Sequence, residues 1–204
     1  LIHYNLYGKK SVLFTKIMKE SIKRILARKD KGSTINKDRA HAAILLLFYQ
    51  NKSEYYILFT KRSTKVDSHK GEISFPGGRH DNNDITLVNT ALRENFEEIG
   101  IKKDDVEVFG ELDDVVTITS NYIITPFVAT FPYPYEFIIN KDEVEEIIEV
   151  SISSLLDKDI FWEELWIHEG RNYSTYFYRY QNHIIWGATA VILKQFLDLL
   201  PGLL

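Results

Sequence analysis

Two apolar stretches only four residues apart constrain this chain most. HAAILLLFYQ, from His41 to Gln50, and YYILFTKR, from Tyr55 to Arg62, are separated by the turn-like NKSE. Their length and their content of branched and aromatic side chains predict two strands, and so short a connection predicts that they pair as a hairpin. The longest apolar run, Ala42 to Phe48, is far too short to cross a bilayer, so the hairpin belongs to a globular core and no membrane role is expected.

Further strands are predicted in EISF, in DVEVFGELDDVVTIT, in YIITPFVATF and in VEEIIEV. EELWIHEGRNYSTYFYRY reads as a second hairpin with its turn at Glu169 to Asn172, and GATAVILKQFLDLL as an apolar final helix. Strands that outnumber helices, with a hairpin at each end, point to an α/β fold built on a mixed sheet covered by helices. The 204 residues are expected to form one domain, with 1–38 a helical extension and connector and 39–204 the core. In the extension, Ile17, Ile22, Ile25 and Leu26 would form the buried stripe of a helix within KIMKESIKRILARKDKG, whose basic face is solvated.

The net charge of −4 argues against a surface that neutralises nucleic-acid phosphates. The absence of cysteine excludes thiol catalysis and thiolate metal sites, and suits a reducing, cytoplasmic setting. No secretory leader is evident in the sequence, and GxSxG, GxxxxGK[ST] and HExxH are all missing.

RENFEEIG, Arg93 to Gly100, carries the chemistry. A helix is predicted from about Thr86 to Ile99, with Val88, Leu92, Phe96 and Ile99 as its buried face. Glu94, Glu97 and Glu98 then lie together on the exposed side, and each like-charge pair costs about 0.2–0.5 kcal/mol. They also sit near the C-terminal end, marked by Gly100, where the helix dipole disfavours negative charge. A bound hard cation, magnesium or manganese, would reverse that penalty. Upstream, FPGG from Phe75 to Gly78 pairs two glycines, which permit close backbone approach to a metal or phosphate.

GGRHDNNDITLVNTALRENFEEIG resembles the Nudix box, the signature of the Nudix hydrolases. Gly78, Arg93, Glu94, Glu97, Glu98, Gly100 and Ile101 stand at matching positions. The chain departs from the pattern in reading Asn95-Phe96 between Glu94 and Glu97, in carrying Asp84 where a glutamate is usual, and in placing eight residues between Asp84 and Arg93. LFTKRSTKVDSHKGEISFPGG, Leu58 to Gly78, resembles the upstream motif of the coenzyme A diphosphatase subfamily, with Asp67 where that motif has arginine. The likeness runs from about Ala42 to Leu193.

The resemblance implies a Nudix-type α/β/α sandwich. It implies that Glu94, Glu97 and Glu98 hold Mg2+ or Mn2+, with the carbonyl of Gly77 or Gly78 as a further ligand, and that Arg93 orients the glutamates. It implies hydrolysis of a nucleoside diphosphate derivative, foremost coenzyme A or its thioesters, to 4′-phosphopantetheine and adenosine 3′,5′-bisphosphate. ADP-ribose or a dinucleotide is the alternative substrate, and a Nudix-fold binding module without turnover is the alternative class. Arg62, Ser63, His69, Gly71 and Gly77 are the substrate-binding candidates. The general base is a box glutamate or one of Glu143, Glu145 and Glu146. Lys65, His69 or Lys70 could offset the charge of Asp67, His80 also flanks the site, and a homodimer is compatible with everything above.

Overall fold

A computed structural model describes residues 18–27, 38–66, 68–168 and 170–200. The predicted hairpin forms as β1 (Ala40–Asn51) and β2 (Glu54–Arg62), antiparallel, with Asn51 opposite Glu54. β2 also pairs with β3 (Ile73–Ser74), and β1 with β4 (Gly77–Arg79). The Pro-Gly-Gly segment is therefore not a plain turn: it enters the sheet. Helix α2 (Leu87–Ile99) follows, then β5 (Glu107–Glu111), β6 (Val115–Val116) and β7 (Tyr122–Thr130). β7 runs parallel to β1, which makes the eight-stranded sheet mixed; β8 (Val144–Ser151) pairs with the other edge of β2. The short α3 (Ile152–Leu155) leads into a separate three-stranded sheet of β9 (Phe161–His168), β10 (Arg171–Tyr180) and β11 (His183–Trp186), and the chain continues into α4 (Gly187–Leu197).

β1 explains the layering, because alternate residues of a strand face opposite sides of the sheet. Ile44, Leu46 and Phe48 join one buried cluster with residues of α4 and with Met18, Ile22 and Leu26. Ala43, Leu45 and Leu47 join another with Ala91 and Ile99 of α2. Helices on both faces of a mixed sheet make an α/β/α sandwich. The N-terminal helix, described over 18–27, is α1 in that first layer; its stripe is Met18, Ile22 and Leu26, with Ile25 only half-buried, while Ile17 and most of the expected connector lie outside the described residues. Among the described residues no helix is long and apolar enough to cross a membrane.

Three expectations are corrected. The second hairpin closes more tightly than Glu169 to Asn172, since His168 already pairs with Arg171 and Asn172 lies inside β10. A third strand, β11, was not anticipated. On α2, Phe96 is 53% exposed, while Thr90, Ala91, Asn95, Glu98 and Ile99 are buried. The helix is thus rolled so that polar positions enter the core. Asn95 donates its Nδ2–H to the Ile101 carbonyl at 3.1 Å there, while its buried Oδ1 has no partner among the described residues.

Candidate active site

The site is assembled where α2 crosses β4. Thr86 caps the helix by accepting from the Asn89 N–H, and Gly100 ends it in the left-handed region with its N–H on the Phe96 carbonyl. Those two stops fix which residues face β4. Gly77 lies opposite Ile44 and Gly78 opposite Ala43, so both glycines press against the central strand. A Cβ on Gly77 would lie 2.3 Å from the Ala43 carbonyl oxygen, and its φ of +150° excludes ordinary side chains. A Cβ on Gly78 would lie 2.4 Å from Cδ and Oε2 of Glu94. The missing side chain of Gly78 is the space that the Glu94 carboxylate fills.

The three glutamates are not alike, which corrects the expectation of one shared exposed face. Glu98 is 3% exposed, Glu94 is half-buried and Glu97 is exposed. Glu98 Oε2 accepts the Gly77 N–H at 3.2 Å. Burial pushes its carboxyl up to about 8, and the charges of Glu94 and Glu143 act in the same sense, against the Gly77 N–H and Arg62. Glu94 is also raised, chiefly by burial, with Arg93 opposing and Glu97 and Glu143 adding to the rise.

Arg93 ties these groups together. Its Nε and Nη2 donate to the two oxygens of Asp84 at 3.1 and 2.9 Å, and its Nη1 donates to Glu94 at 2.8 Å and Glu97 at 2.9 Å. Nη2 also reaches the Arg79 carbonyl at 3.2 Å. Asp84 sits 7% exposed under this fork, and the fork holds its carboxyl well below the usual carboxylate range. Asp84 is the residue that sequence reasoning set aside as a departure. Its position just before the helix was the available signal: a turn in which Asp81 and Asp84 bond each other's backbone N–H groups presents the Asp84 carboxylate to Arg93.

The remaining candidates divide clearly. Arg62 lies near enough to Glu98 to lower its proton affinity, and its buried Nε has no hydrogen-bond partner among the described residues. Ser63 is buried; its N–H donates to the Glu143 carbonyl and its hydroxyl accepts the Lys65 N–H, so it shapes the loop. His69 pairs with Glu72 at 3.0 Å, and the Gly71 N–H donates to the Arg62 carbonyl. Of the three candidate glutamates after Asn140, Glu143 is close enough to act on Glu94 and Glu98, whereas Glu145 and Glu146 both bind Lys61, at 2.8 and 3.3 Å. Lys65 is engaged by Asp142. Asp67 lies outside the described residues. His80 bonds Thr90 at 2.8 Å and, with Arg79, borders an open cleft of about 540 Å3 that Arg93, Glu94 and Glu97 also line.

The donor chemistry fits a hard divalent cation: carboxylate oxygens only, with Glu94 and Glu98 desolvated and mutually repelling, beside a carbonyl-bearing glycine pair. Among the described residues no three His, Asp or Glu are drawn together closely enough to hold an ion by themselves. Arg93 holds Glu94 and Glu97 instead, and the Gly77 N–H holds Glu98.

A NUDIX domain model matches residues 39–170, and the chain belongs to the Nudix hydrolase family, enzymes that act on diphosphate linkages. It is 36% identical over 161 residues to the Nudix hydrolase NudL of Photorhabdus laumondii, covering 79% of this chain and 85% of that protein. With NudL of Yersinia enterocolitica it shares 32% identity over 180 residues, covering 87% and 90%. Among solved structures, the NUDIX domain of Shewanella oneidensis NrtR complexed with ADP ribose aligns with a TM-score of 0.48 and 18% identity, covering 65% of this chain and 84% of that one.

Proposed function

We propose that this chain is a Mg2+- or Mn2+-dependent diphosphatase of nucleoside diphosphate derivatives, with coenzyme A or its thioesters as the substrate. The observation that carries the reading is the packing of the Glu94 carboxylate into the space left by Gly78, beside the buried Glu98 on the Gly77 N–H. Glu94, Glu97, Glu98 and the Gly78 carbonyl would hold the cation, which supplies positive charge against which a diphosphate and its attacking water can be kept together. Arg93 orients Glu94 and Glu97 while Asp84 holds Arg93 in turn. Arg62, half-buried beside Glu98, offers a cation to the substrate's phosphate oxygens, and its Nε has no partner among the described residues. Glu143 is the general base, since it faces the same pair of carboxylates and Glu145 and Glu146 are engaged by Lys61.

The substrate half of the proposal rests on the resemblance of Leu58 to Gly78 to the coenzyme A diphosphatase motif. The test is a mass-spectrometric product assay on coenzyme A, acetyl-coenzyme A, ADP-ribose and a diadenosine polyphosphate, each with Mg2+, with Mn2+ and with chelator. The expected products are 4′-phosphopantetheine, or its acyl form, and adenosine 3′,5′-bisphosphate, with no turnover in chelator. Intact coenzyme A and thioesters beside cleaved ADP-ribose would reassign the substrate, and an inert panel would leave a binding module.

A further inference from the structure

β9 carries features that the site does not use. It is the edge of the three-stranded sheet, and among the described residues nothing pairs with its outer side. From Glu163 to His168 every side chain is exposed, including Leu165 at 66%, Trp166 at 43% and Ile167 at 74%. Edge strands are usually blunted by charged side chains, lysine above all, or by proline, a bulge or a covering element, because a free row of N–H and C=O groups recruits another strand; the acidic charges of β9 are confined to Glu163 and Glu164. FWEELWIH has no lysine, proline or glycine, and its pairing with β10 is unbroken from Phe161 to His168. The three tryptophans of the chain gather on one face of this sheet: Trp162 stacks on Phe177 at 5.0 Å, and Trp166 contacts both Phe177 and Trp186 at 5.9 Å.

We infer that β9 is the dimer interface of this protein, pairing antiparallel with β9 of a second copy about a two-fold axis at Trp166. The sequence of the strand selects both the partner and the register. A two-fold perpendicular to the sheet places a residue opposite its own copy. Centred on Glu164, it sets like charges against each other; centred on Leu165, it sets Trp166 against Glu164 and Ile167 against Glu163 of the other chain. Centred on Trp166, it sets Trp166 against Trp166, Leu165 against Ile167, and Glu164 against His168. Every exposed apolar side chain of the strand then meets another, and each Glu164 meets an imidazole. Arg171, opposite His168 in the hairpin, adds a cation on the same face. Glu164 already accepts the Nε1–H groups of Trp162 and Trp166 at 2.8 and 2.9 Å, so its carboxylate is held on the face where this pairing occurs. The two aromatic clusters merge across the axis, and the two three-stranded sheets become one of six.

Sedimentation velocity of the full chain tests this, with twice the 23.8 kDa chain mass expected at micromolar concentration. Leu165→Lys and Ile167→Lys, both at exposed positions, should each return the mass to that of one chain while circular dichroism stays unchanged. Because the chain has no cysteine, the register can be read by oxidative cross-linking. An equimolar mixture of Leu165→Cys and Ile167→Cys chains should form a covalent dimer, and neither variant should do so alone. A single-chain mass at all concentrations, a dimer that survives Leu165→Lys, or cross-linking by Leu165→Cys alone would each overturn the inference.

Discussion

Replacing Gly78 by alanine puts a methyl group where the Glu94 carboxylate already lies. The added Cβ would be 2.4 Å from Glu94 Cδ and Oε2 and 2.7 Å from Oε1, whereas ordinary contact begins near 3.4 Å. The carboxylate must therefore retreat by about 1 Å, and in doing so strains its 2.8 Å bond to Arg93. At a metal ligand, the role proposed for Glu94, a displacement of that size costs roughly 100-fold in rate, equivalent to about 3 kcal/mol in the barrier. The fold should hardly notice, because the displaced atoms are the end of a side chain and not backbone; about 1 kcal/mol or less is expected. Gly77→Ala is the contrast. Its Cβ meets the Ala43 carbonyl and Ile44 Cα, both in the central strand, at a φ that disfavours any side chain. That variant should lose folding as well as activity. The assay is kcat on the best diphosphate of the panel, beside a urea unfolding curve, for both variants. If Gly78→Ala keeps kcat within twofold, the seat of Glu94 against β4 has no part in the reaction.

Further outcomes follow from the same geometry. Arg93→Met should lower stability by roughly 2 kcal/mol in urea titrations, since hydrogen bonds to charged groups contribute about 1.5–3 kcal/mol and the nearly buried Asp84 loses its partner. Glu143→Gln should reduce kcat by about 100-fold or more with little change in KM, while Glu145→Gln and Glu146→Gln leave kcat near wild type. Glu98 binds its proton more tightly when folded, at about 8 against 4.5 for the free side chain, so its stabilising share is full below pH 4.5 and is lost as pH rises towards 8. Unfolding of the metal-free protein should show stability falling by up to roughly 1 kcal/mol per pH unit through that window, and Glu98→Gln should flatten the slope. Asp84 acts in the opposite sense at the acid end: held below its usual range, it stabilises above that range and loses this as pH falls. Asp84→Asn should therefore weaken the protein at neutral pH and reduce its sensitivity to acid.

Much of this was legible in the chain. The Asn51–Glu54 hairpin, the stops of α2 at Thr86 and Gly100, and the association of Phe75 to Gly78 with the glutamates follow from local pattern and turn chemistry. The roll of α2 was not, because Val88, Leu92, Phe96 and Ile99 offered a regular apolar stripe. Tertiary contacts override that stripe: the Gly77 N–H draws Glu98 inward and the Ile101 carbonyl draws Asn95, leaving Phe96 outside. The partner of Asp84 was equally hidden, since a carboxylate nine positions before an arginine meets it only through the folded path of the loop into α2. The tryptophan face of β9 to β11 depends on a strand, His183–Trp186, whose four residues are too few to announce themselves.

The central claim is that the carboxylates seated against Gly77 and Gly78 are the machinery of a metal-dependent diphosphatase. Turnover of coenzyme A with Mn2+ by wild type and Glu98→Gln, followed by product mass spectrometry, tests it most directly. The account predicts release of 4′-phosphopantetheine and adenosine 3′,5′-bisphosphate by the wild type and a loss of about 100-fold or more in the variant. Equal rates in the two proteins would contradict it.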